Sequence, residues 1–147
     1  MARLSLLTPF ALTAILAATG CGKKDPHDHH GKEGSKQSRP MPSTYKEAIT
    51  EIRHHSDEIA GLIASNKLGD VHHEAEEIKK IAEHLPELAQ KAGMAGDMMK
   101  EINLKSKELA AMFEDIDNAA DSGKGEETER FHERMKGLIS DLGKHDH

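Results

Sequence analysis

The stretch YKEAITEIRHHSDEIAGLI, residues 45–63, decides how the chain folds. Tyr45, Ile49, Ile52, Ser56, Ile59 and Ile63 advance by four, three, four, three and four positions, which keeps all six on one side of a helix. A strand would need alternation every second residue. The same spacing recurs in Val71, Ala75, Ile78, Ala82, Leu85 and Ala89, and again in Ala95, Met99, Ile102, Ser106, Leu109, Phe113, Ile116 and Ala120. A fourth run is Thr128, Phe131, Met135, Leu138 and Leu142.

The breaks between these runs have local causes. Ser65-Asn66-Lys67-Leu68-Gly69 ends the first helix, and Asp70 is placed to cap the second. Gly93 and Gly96 separate the second from the third, where Asp97 is the expected cap, and Ser122-Gly123-Lys124-Gly125 closes the third. Glu126, Glu127 and Glu129 put negative charge at the positive end of the fourth helix dipole. Pro86 lies inside the second helix and should kink it.

Helices of roughly 17 to 25 residues run about 25 to 37 Å, and short connections force neighbours antiparallel. The chain is therefore expected to be all-α, an antiparallel up-down-up-down four-helix bundle over residues 44–142. The competing arrangement is two hairpins that complete a bundle by dimerisation. Shifting the first half by 57 residues places Ile52 on Leu109, Ile59 on Ile116, Ile78 on Met135 and Leu85 on Leu142, a hint of duplication.

The whole sequence has 147 residues, 36% of them hydrophobic, with 20 basic and 26 acidic side chains for a formal charge of −6. An acidic chain with four aromatic residues offers neither the phosphate contacts nor the stacking platforms of nucleic-acid binding. The single cysteine excludes a disulfide framework. Residues 22–43 are mostly Gly, Lys, Ser, Asp, His and Pro with almost no apolar side chain, so 21–43 is expected to be a disordered tether that begins at Cys21 and holds the domain about 25 Å away on average. Residues 143–147 are expected to be a disordered, His-containing tail.

Residues 1–20 have the layout of an export signal: Arg3 supplies positive charge, Leu4 to Ala18 are mostly apolar, and small residues lead into Cys21. Ala18-Thr19-Gly20-Cys21 resembles the lipobox of bacterial lipoproteins, although that family commonly has Leu where Ala18 stands. The resemblance covers about a seventh of the chain. It implies cleavage before Cys21, acylation of that cysteine and attachment to a membrane in the cell envelope. Acyl chains contribute about 0.8 kcal/mol per buried CH₂, so such an anchor is stable. Gly22, rather than Asp, implies transfer to the outer membrane facing the periplasm if the envelope is Gram-negative.

Histidine is abundant, with 11 residues. His27, His29 and His30 in the tether, and His145 and His147 in the tail, combine imidazole with nearby carboxylates, a donor set suited to zinc or copper. In the bundle, His54, His73 and His84 fall on outer faces, and His55 and His72 flank the stripes. His132 lies nearest the core, about 60° from Met135 at 100° per residue. His55, Met112 and His132 are a second candidate metal set, of the imidazole and thioether type that copper accepts.

An exported four-helix bundle is similar in architecture to the periplasmic cytochrome c-prime class. That class holds haem through Cys-x-x-Cys-His, which this chain lacks, so covalent haem is excluded. There is no phosphate loop, no nucleophile elbow and no His-Glu-x-x-His. Glu51-Ile52-Arg53-His54 and Glu129-Arg130-Phe131-His132 have a di-iron spacing but lack inward carboxylate partners. The expectation is a membrane-anchored envelope lipoprotein with no enzymatic activity, acting as a scaffold or interaction module for an envelope protein. A zinc- or copper-buffering lipoprotein and a carrier of haem or a small molecule are the alternatives.

Overall fold

The computed structural model describes residues 40–146. The helices are α1 (Tyr45–Ala64), α2 (Val71–Lys91), α3 (Gly96–Asp121) and α4 (Gly125–Leu142), with 3-10 turns at Leu68–Asp70 and Gly143–His145. Each helix packs on its neighbour in the chain, and α1 packs on α4, which closes a four-helix ring. The pairing is antiparallel. Tyr45 at the start of α1 meets Leu142 at the end of α4, while His72 at the start of α2 meets Asp117 near the end of α3. Among the described residues, no helix is long and apolar enough to cross a membrane.

The start of α1 is a capping box. The Glu47 amide donates to Thr44 Oγ1 at 3.2 Å, and the Glu47 carboxylate accepts from the Thr44 amide at 3.2 Å. Two first-turn donors are thereby satisfied reciprocally. Ser43 adds its hydroxyl at 2.8 Å and its amide at 3.0 Å, and these bonds, the hydroxyl's first, hold the Glu47 carboxyl below its ordinary range.

The caps expected at Asp70 and Asp97 form differently. Asp70 precedes α2, but the 3-10 turn leaves it at φ −90° and ψ −7°, and its carboxylate makes no capping bond. A capping side chain reaches the first-turn amides from extended backbone, which Asp70 does not have. At α3 the capping position falls to Ala95. Asp97 sits inside the first turn and pairs with Lys100 at 2.7 Å. Its charge still faces the positive end of the helix dipole. Pro86 does not end α2, which runs unbroken to Lys91.

Helices α1, α2 and α3 end in one kind of turn. Asn66, Gly93 and Gly123 take φ of 54°, 78° and 68°. Their amides bond back to Ile63, Gln90 and Ala120, and the next amides to Leu62, Ala89 and Ala119. This is the Schellman closure, which needs one left-handed residue and satisfies two orphan carbonyls. It explains why the turns at 65–67 and 122–124 match at a 57-residue shift. Because α2 ends the same way outside that shift, the match follows from turn chemistry and does not require duplication.

The stripes form the core. Ile52, Ile78, Leu85, Ile102, Ile116 and Leu142 are fully buried, and each such side chain contributes about 1.5–3 kcal/mol. Two helices are rotated from expectation. In α4 the buried set is Thr128, His132, Met135, Ile139 and Leu142, with Phe131 and Leu138 only partly buried. In α3, Met112 is buried, Phe113 and Met99 are partly exposed, and Ala95 lies outside the helix. Both α4 registers have heptad spacing. The observed one wins because the polar group it buries, His132, finds a partner on α1.

Candidate functional site

Of the buried polar side chains, Ser56, Glu74 and His132 take part in bonds between helices, whereas Ser106 and Thr128 bond the carbonyls of Ile102 and Lys124 four residues back. On the α1–α4 seam His132, 2% exposed, donates from Nε2 to the Ser56 carbonyl at 2.9 Å, and Ser56 Oγ lies 3.0 Å from the same nitrogen. A carbonyl only accepts, so the proton resides on Nε2. Burial pushes this imidazole below its usual range, against the opposing pull of the Ser56 carbonyl. It is neutral at neutral pH and ties two helices together.

The α1–α2 seam holds a second tie. His55 Nδ1 lies 2.7 Å from Glu74 Oε2, and Glu74 is 4% exposed. Sequence reading placed His55 at the edge of its stripe but missed Glu74, which flanks Val71, Ala75 and Ile78 on the same face. The signal was a carboxylate adjoining an apolar stripe across from a flanking histidine. A buried carboxylate needs such a partner, because desolvating it alone costs several kcal/mol.

Met112, on α3, is buried among core side chains, as flexible thioether side chains commonly are. Of the candidate copper trio, His55 and His132 are each engaged with a partner outside it, on α2 and α1 respectively. His72 Nδ1 bonds Asp117 at 2.8 Å, and its ring stands edge-on to Phe113, over which Lys79 Nζ lies 4.9 Å from the centroid. His84 pairs with Glu87 at 3.1 Å.

A cleft of about 200 Å³ opens between α1 and α4, lined by Arg53, Ser56, Asp57, Lys136, Ile139 and Ser140. It is open, mixed in charge and backed by the His132–Ser56 tie. Below it the end of the chain folds onto the bundle. The unstructured tail expected from residue 143 is replaced, through Asp146, by a 3-10 turn held by Asp146 on Arg53 at 3.1 Å. A methyl group at Gly143 would meet the end of the Arg53 side chain, which would have to shift to make room. Lys105 and Lys144 both pair with Asp141 and lower its carboxyl to about 2, with Lys105 the stronger influence. His145, expected as a free metal ligand, instead has Nε2 buried without a hydrogen bond, 3.5 Å from the Glu101 carboxylate.

Cys21, His27, His29, His30 and His147 lie outside the described residues. Leu104, 68% exposed, is the most open of the large apolar side chains described. The seams therefore offer structural ties, and the cleft and outer faces offer the accessible chemistry. Compared with protein-family models, curated proteins and solved structures, the chain matches none.

Proposed function

We propose that the chain is an envelope lipoprotein, acylated at Cys21, whose four-helix bundle is a non-catalytic interaction module held off the membrane by residues 22–43. The observation that carries this reading is the sequence Ala18-Thr19-Gly20-Cys21 behind an apolar stretch opened by Arg3. A lone cysteine in an exported chain has no disulfide partner, and acylation gives it a use. The arrangement of the bundle agrees with a binding role. His132, His55 and Glu74 are spent on joining helices, and Ser106 bonds the Ile102 carbonyl of its own helix. What a partner meets is the mixed-charge outer surface.

Membrane fractionation of the native host carrying wild-type or Cys21→Ser protein tests the reading. The wild type is expected in the membrane fraction with incorporated palmitate, and the variant in the soluble fraction without it. Intact mass of the mature protein showing an unmodified thiol, or a chain begun at Ala18 or Thr19, would overturn it.

A further inference from the structure

Helix α2 carries His73, Glu76 and Glu77, so one turn presents an imidazole and two carboxylates side by side. One ligand atom of each lies within 4.8 Å of the other two, and among the described residues this is the group of three His, Cys, Asp or Glu side chains that converges so closely. The side chain of Glu77 is only 15% exposed and so is seated against the bundle, whereas Glu76 is 40% exposed and free to adjust. The two carboxylates already converge on one cation. Lys80 Nζ lies 3.2 Å from Glu76 and 3.0 Å from Glu77, and those bonds, Glu77's first, hold its ammonium above the ordinary lysine range.

We propose that His73, Glu76 and Glu77 form a surface site for a divalent transition cation, with zinc the best fit, and that Lys80 is its built-in competitor. Zinc accepts imidazole nitrogen and carboxylate oxygen together at about 2.0–2.2 Å, and three protein ligands leave a fourth position for water. Calcium and magnesium favour all-oxygen sets, which a central histidine disfavours. Donors about 2.0 Å from a tetrahedral ion stand roughly 3.3 Å apart, so closure needs only rotation of His73 and Glu76, both in contact with water. Lys80, 47% exposed on a four-carbon stem, can swing into solvent and give up its place. The helix has already ordered the three donors, unlike the flexible tracts at His27–His30, whose chain must be fixed on binding. Without metal, the ammonium offsets the two negative charges, so the bundle does not depend on the ion.

Zinc titration of the full mature chain by calorimetry, comparing wild type with His73→Ala and Lys80→Gln, separates this site from the other histidines, which all three proteins share. His73→Ala is expected to weaken one binding event by about tenfold or more. Lys80→Gln should tighten the same event by roughly threefold, the effect of removing two surface ion pairs that compete with the metal. Thermal unfolding without metal should be nearly the same for all three. An isotherm for His73→Ala that superimposes on the wild type overturns the proposal, as does a Lys80→Gln protein that binds zinc no better than wild type.

Discussion

Tyr45 is the only tyrosine and the chain has no tryptophan, so the closure of the bundle can be read without a label. Its ring is 2% exposed, and its hydroxyl donates to the Leu142 carbonyl at 3.0 Å. That bond ties the start of α1 to the last carbonyl of α4, where the 3-10 turn at Gly143–His145 begins. Burial first, then the negative charges of Asp146 and Glu101, push the phenol from 10.0 up to about 12. A group whose folded value is raised contributes stability that is fully present below the unfolded value and is lost as pH rises through the folded one. The window is therefore pH 10 to about 12, and the shift corresponds to roughly 3 kcal/mol. Ultraviolet titration of tyrosinate should give a midpoint well above 10.0 in the native protein and one near that value in guanidinium. Tyr45→Phe removes one net hydrogen bond across the bundle, at a cost of about 0.5–1.5 kcal/mol. For a domain of about 100 residues, each kcal/mol lowers Tm by about 4–8 °C. A native midpoint near 10.0, together with a Phe variant as stable as the wild type, would show that the end of α4 does not cover the start of α1.

The seam histidine should make the bundle acid-sensitive. Burial holds His132 below its ordinary 6.5, so the unfolded chain takes up the proton first and stability falls as pH drops below that value. Denaturant midpoints at about pH 7.5 and about pH 5 should differ more in wild type than in His132→Leu. The rotated register of α4 predicts that Ile139→Ala costs about 2–4 kcal/mol and Leu138→Ala clearly less, by urea unfolding; the reverse order would restore the register read from sequence. Thr44→Ala should cost about 1 kcal/mol through loss of the capping box, measurable as a shift in urea midpoint with unchanged slope.

Much of the fold was legible because helical periodicity is local. The run from Tyr45 to Ile59 and the run from Val71 to Ala89 are buried as their spacing predicts. Their polar and apolar residues separate cleanly by angle. Helix α4 was ambiguous because Phe131 and His132 lie on either side of Met135 around the helix, and hydropathy favours the aromatic ring. Only the position of Ser56 on a different helix makes His132 the better buried group. The capping box was present as Thr44-x-x-Glu47 and could have been found, since both partners lie within one turn. Glu74 was harder to find, because a carboxylate at a stripe's edge reads as solvent-facing until His55 is known to stand across from it.

By itself, the sequence determined that residues 44–142 are helical, where the turns between the helices fall, and which faces of α1 and α2 are greasy. These follow from residues within a turn or two of one another, related by a fixed angle per residue. The tertiary structure alone decided which of two adjoining side chains on α4 turns inward, that Glu74 belongs inside, and that Gly143 to Asp146 fold back on Arg53. Each of those outcomes depends on a partner from a distant part of the chain, because a polar group can leave water only where something else completes its hydrogen bonds.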